Sequence, residues 1–110
     1  MKAKEKEIEE WARRNGFEWS IGRILIKRTE EGEVYEERIT NLNKDRPFGV
    51  DPETGEKRDK DFVPLTELPE DIGVLDKLWE LSLDGNELKK LPESIGQLRE
   101  LEKLIVSAHR

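Results

Sequence analysis

The sequence predicts one α/β domain of 110 residues: a short solenoid with a parallel sheet, preceded by a capping helix and a β-hairpin. Three observations predict it. In the C-terminal half, apolar residues return after 23 positions: Leu65/Leu88, Leu68/Leu91, Ile72/Ile95, Leu75/Leu98, Leu78/Leu101, Leu81/Leu104 and Leu83/Val106, with Pro69/Pro92 and Gly73/Gly96 between them. Residues 2–15 place Ile8, Trp11 and Ala12 on one stripe, the spacing of a helix face. Residues 17–39 alternate apolar and polar around a charged turn, the pattern of two paired strands.

Taken in order, residues 1–16 form the capping helix. Glu5, Glu7 and Glu9 come early and Arg13 and Arg14 late, matching the helix dipole. Asn15-Gly16 is a natural stop, with Gly16 free to adopt the left-handed conformation. This helix either caps the first end of the solenoid or binds a partner.

Residues 17–47 form the hairpin and a degenerate first repeat strand. Phe17, Trp19 and Ile21 alternate, and Gly22 marks a bulge before Ile24-Leu25-Ile26. Thr29–Glu33 predicts a three- to five-residue loop, and Val34–Ile39 returns as the second arm. Ile39–Asn43 then aligns with Leu78–Ser82. Lys44 stands where the inward leucine belongs and Pro47 where the turn asparagine belongs, so the chain leaves the solenoid there.

Residues 48–64 read as an inserted loop of about 16 extra residues, counted against the spacing of the later repeat. Asp51-Pro52-Glu53-Thr54-Gly55-Glu56 is a strong turn. Phe48, Val50, Phe62 and Val63 are expected to anchor its two ends. Insertions on repeat scaffolds often emerge on a binding face, although a tolerated surface loop has the same composition.

Residues 65–110 carry the repeats. Leu81 and Leu83 are two apart, so both point to one face of a short strand, with Glu80, Ser82 and Asp84 on the other. Asn86 turns the chain by aiming its amide at backbone groups inside the bend. Pro69-Glu70-Asp71 and Pro92-Glu93-Ser94 open a turn or two of helix, with proline at the first helical position. Ile95, Leu98 and Leu101 then point inward. One repeat cannot bury these leucines alone, so Leu81 and Leu104 are expected on adjacent parallel strands.

The run Leu78-x-x-Leu81-x-Leu83-x-x-Asn86-x-Leu88-x-x-Leu91-Pro92-x-Ser94-Ile95-Gly96 resembles the leucine-rich repeat proteins of the bacterial, archaeal and plant intracellular Ras-group type. The match covers about 43 of the 110 residues. The resemblance implies a curved solenoid whose parallel-sheet face binds other proteins, and it supplies no catalytic residues.

Composition narrows the function. Charged residues reach 42% and hydrophobic residues 34%, a thin core under a charged coat that fits a heat-tolerant or an engineered protein. Net charge is −6, which disfavours nucleic acid and anionic membranes as partners. There is no cysteine, and the N-terminus has no apolar signal segment, so a cytoplasmic location is expected. No His/Cys cluster offers zinc ligands. Asp51, Glu53, Glu56, Asp59 and Asp61 match a calcium loop poorly, because Gly55 falls fifth rather than sixth. His109, the only histidine, falls on the turn position of Asn86 and reads as structural. No cofactor, metal or enzymatic activity is expected.

The candidate binding surface is the concave strip. Asn41, Asn43 and Asp45 lie beside Glu80, Ser82 and Asp84, and these beside Lys103, Ile105 and Ser107. Trp79 starts the middle strand and either anchors a partner or packs under the inserted loop. The expected function is a non-enzymatic protein–protein interaction module using this strip and the loop. The alternative is a structural or engineered self-associating scaffold with no external ligand. After the last strand no polar cap is visible, which implies either a fragment of a longer array or copies that meet through the C-terminal end.

Overall fold

The computed structural model describes residues 1–108. It shows a mixed α/β architecture with one α-helix and a four-stranded open mixed sheet. Helix α1 spans Ala3–Arg14, and strands β1 (Glu18–Thr29), β2 (Gly32–Asn43), β3 (Glu80–Asn86) and β4 (Lys103–Ala108) lie side by side in chain order. β1 and β2 are antiparallel, while β2, β3 and β4 run parallel.

α1 ends as its sequence dictates. Gly16 takes φ +75°, Phe17 N–H reaches Ala12 O at 3.0 Å and Gly16 N–H reaches Arg13 O at 3.4 Å, a Schellman stop. Ile8 and Ala12 are buried in the core and Trp11 packs on Phe17 with ring centroids 5.0 Å apart. Glu5 corrects the dipole reading of the first turn. It is fully buried, and its carboxylate accepts from Arg38 Nε at 2.8 Å and from the Ile39 backbone N–H at 2.7 Å. β3 pairs with β2 only from Asn41 onward, so Glu5 satisfies a β2 donor that has β1 on one side and no strand on the other.

The hairpin differs from expectation in two places. Its loop is two residues, Glu30 and Glu31, because Thr29 pairs directly with Gly32. The Thr29 hydroxyl closes it, accepting from Glu31 N–H at 3.2 Å and donating to Gly32 O at 3.0 Å. The bulges fall at Thr40 and Ile26, on either side of Gly22 and not at it. Gly22 is needed because a Cβ there would sit 2.8 Å from Thr40 Cγ2. Beyond the body, Gly22–Glu37 projects as a two-stranded arm. The molecule is 60 Å long with a radius of gyration of 16.4 Å, against about 13 Å for a compact chain of this size.

The core is one cluster: Ile8, Ala12 and Phe17 from the N-terminal part, Ile39 and Leu42 from β2, then Leu65, Leu68, Ile72, Leu75, Leu78, Leu81, Leu83 and Leu98. Leu81 stands beside Leu104, the register that the 23-residue spacing predicts, and Leu42 beside Leu81, as the alignment of Ile39–Asn43 with Leu78–Ser82 predicts. Gly85, at φ +78°, bends the chain so that the buried Asn86 amide can bridge two segments. Its Oδ1 accepts from Leu65 N–H at 2.8 Å and its Nδ2 donates to Lys44 O at 2.6 Å.

Behind the sheet, the expected helices are 3-10 turns at Ile72–Val74 and Glu93–Gln97, and Pro92 precedes its turn instead of occupying the first position. Ser94 staples the two: its hydroxyl donates to Glu70 O at 2.6 Å and accepts from Gly73 N–H at 3.2 Å. The loop anchors need correction. Of the four apolar side chains, Phe62 is half-buried, under Lys44 and Arg46, while Phe48, Val50 and Val63 stand in water. No helix among the described residues is long and apolar enough to cross a membrane.

Candidate functional site

The strip opposite the leucines is built by strand alternation. Asn41, Glu80 and Lys103 form its first row, cross-linked by Asn41 Nδ2 to Glu80 Oε1 at 2.9 Å and Lys103 Nζ to Glu80 Oε2 at 3.2 Å. These two donors hold the Glu80 carboxyl below the usual carboxylate range. Asn43, Ser82 and Ile105 form the second row, and Asp84 and Ser107 continue the third beside Asp45.

Ser82 departs from the expected solvent-facing role. It is buried, and its hydroxyl donates to Asp45 Oδ1 at 2.8 Å, an oxygen that also accepts from Asp84 N–H at 2.8 Å. Asp45 thus ties the segment after β2 to β3, and Ser82 is a structural member of the strip. The strip is also wider than the three expected strands. Glu18 and Ser20 of β1 lie opposite Asn43 and Asn41 and line a shallow hollow with them and Glu80. The alternation of Phe17, Trp19 and Ile21 carries this signal, since it sends Glu18 and Ser20 to the other face.

Trp79 was expected to start the middle strand but lies just before β3, 42% exposed in a hollow with Arg99, Glu100, Leu101 and Glu102. The loop meets the opposite end of the strip. There, a cavity of about 370 Å³ is lined by Arg46, Pro47, Phe48, Gly49, Val50, Lys57, Asp59 and Asp84. Phe48 is 94% exposed at its rim. Arg46 crosses its floor, 4.0 Å from Asp59 and 3.8 Å from Glu87. Nearby, burial pushes the Lys44 ammonium below its ordinary pKa as it packs over the Phe62 ring.

Three of the loop carboxylates have partners in the loop or just before it. Asp51 Oδ1 accepts from Glu53 N–H at 2.8 Å, Glu56 pairs with Lys60, and Asp59 faces Arg46. Among the described residues, no group of three or more His, Cys, Asp or Glu side chains is placed to hold a metal ion. His109 lies outside the described residues. The arrangement exposes hydrogen-bonding groups, an indole and a phenyl ring to solvent. No protein-family model, curated protein or solved structure matches the chain.

Proposed function

We propose that this chain is a leucine-rich-repeat-type solenoid acting as a non-enzymatic protein-interaction module, with the strand face and the inserted loop as its binding surface. The observation that carries the reading is the shared cavity: Asp84 of β3 and Phe48 and Val50 of the loop line one hollow. Loop and strip therefore form one continuous surface, polar in the centre and apolar at both ends through Trp79 and Phe48. Exposed aromatic anchors around a polar field are the usual energetic core of protein recognition. The side chains Phe48, Val50 and Val63 are held in water at a cost that partner binding would recover.

The test uses the chain as bait beside Trp79→Ala and Phe48→Asp. A protein captured by the parent, and lost from both variants while circular dichroism is unchanged, supports the reading. Capture that survives both changes, or that depends on Tyr35 in the hairpin arm instead, overturns it.

A further inference from the structure

Two arginines on and just after β2 are used differently. Arg38 is bonded to Glu5 and Asp76. Arg46 makes no side-chain hydrogen bond among the described residues. The carboxylates that face it, Asp59 and Glu87, stand 4.0 Å and 3.8 Å away, and its Nε is shut off from water with no acceptor. A guanidinium left this way costs stability unless something else supplies an acceptor. Arg46 is also held in place. Its backbone N–H donates to Asp84 O at 2.7 Å, and its guanidinium lies over the Phe62 ring, 5.1 Å from the centroid. The opposite wall is fixed by the loop. Val50 bridges Lys57, with Arg58 N–H on Gly49 O at 3.0 Å and Asp51 N–H on Glu56 O at 2.8 Å. The cavity between these walls is therefore preformed, which lowers the cost of filling it.

The lining of that cavity is mixed and balanced. Arg46 and Lys57 bring two positive charges, Asp59 and Asp84 two negative ones, and Phe48 and Val50 an apolar wall. A lone cation or a lone anion meets as much repulsion as attraction there. A ligand that carries both charges beside an apolar group meets a complement to each. We propose that the cavity binds a free apolar amino acid in its zwitterionic form. Its carboxylate accepts from Arg46 and Lys57, its ammonium turns to Asp59 and Asp84, and its side chain packs on Phe48 and Val50. The guanidinium then gains the acceptor it lacks, in a charge-assisted bond. At about 370 Å³ the cavity lies at the lower end of the range for small-molecule sites, about 300–1,000 Å³, which suits a ligand of this size. The site works without Trp79 and the strip, so it stands independently of the interaction reading above.

The probe is L-leucine, titrated into the isotope-labelled chain and followed by amide NMR shifts. Saturable shifts at residues 48–50 and 57–59 are expected. N-acetyl-leucine lacks the ammonium and leucinamide lacks the carboxylate. Each is expected to bind at least about tenfold more weakly, the loss of one charge-assisted contact. Arg46→Gln is expected to abolish saturation, and Trp79→Ala to leave it unchanged. No saturable shift up to the solubility limit of leucine, shifts centred elsewhere, or either derivative binding as tightly as leucine overturns the proposal. Should Arg46→Gln disturb the fold, Lys57→Gln, expected to weaken binding, and the two derivatives decide in its place. Partner capture that needs Trp79 and leucine binding that does not can each fail while the other stands.

Discussion

Leu81 and Leu104 hold the same position in the 23-residue pattern and have opposite surroundings: the first is fully buried and the second is 45% exposed. The contrast runs through the whole molecule. On the β2 side, the core is closed by α1 and by a buried ion pair. On the β4 side, among the described residues, it is left open at Leu104 and Val106. Burial here is supplied by whatever lies beside a strand, and an apolar pattern only makes a residue ready for it. The two ends also use different forces, polar and specific where the sheet is closed, apolar and unspecific where it is open.

The closed end should be the costlier to break. Arg38 is 2% exposed, bonded to Glu5 and Asp76, and Arg38→Met strands the Glu5 carboxylate in the core. The expected loss is about 3–5 kcal/mol, read from urea midpoints. The double change Glu5→Leu/Arg38→Met should recover only part, because Ile39 N–H then loses its acceptor at a cost of about 1–3 kcal/mol. Full recovery would mean that the pair contributes nothing to closing this end.

A matched pair of truncations tests the contrast directly. Leu81→Ala should cost about 2–5 kcal/mol through lost burial and a cavity. Leu104→Ala should cost about 1 kcal/mol in dilute solution, since half of its side chain is already in water. Equal penalties for the two would erase the distinction between the ends.

The glycines repeat the experiment on a smaller scale. Gly73→Ala forces a Cβ against Ser94 O and should destabilise by about 1–3 kcal/mol. Gly96→Ala enters open space at a residue without positive φ, so it should be neutral or stabilise by up to about 1 kcal/mol. Thermal melts of the two variants side by side are sufficient.

The same contrast marks what was legible in the sequence. The step from Leu81 to Leu104 and the likeness of Ile39–Asn43 to Leu78–Ser82 carried the strand register, and Asn15-Gly16 carried the helix stop, because both depend on local pattern. That the Asn86 amide would bond backbone groups was legible too, but its partners, Leu65 and Lys44, lie 21 and 42 residues earlier and not inside its own bend. The Glu5–Arg38 pair was not, since a glutamate in a first turn and an arginine in a strand each have an ordinary surface explanation, and only the packing of α1 across β2 joins them. Ser82 was misplaced because Asp45, 37 residues earlier, draws it inward. In the loop, Phe48, Val50 and Val63 looked like anchors by residue type, yet their segment has no sheet or helix face to pack on. The site was therefore legible as a strip of alternating strand positions. Its extension onto β1 depended on hairpin register, and its continuity with the loop on tertiary contact.

Acidification offers the finest comparison of the two ends. Burial pushes the Asp76 carboxyl up, but hydrogen bonds from Arg38 and Lys2 outweigh this and hold it below the usual range. A carboxylate depressed in the folded state adds stability that is complete above its unfolded value of about 3.9 and is lost as pH falls through the lower folded value. Asp76→Asn should therefore weaken the fold at neutral pH and flatten the acid limb of the stability curve. Solvent screening of this partly exposed carboxylate limits the effect to about 1 kcal/mol or less. Glu80 is depressed too, by Asn41 and Lys103, on the strip near the open end. Glu80→Gln should flatten the acid limb less, because its partners lie at the surface and are screened. If Glu80→Gln flattens the limb more than Asp76→Asn, electrostatics are not concentrated at the closed end, and the division of forces between the two ends fails.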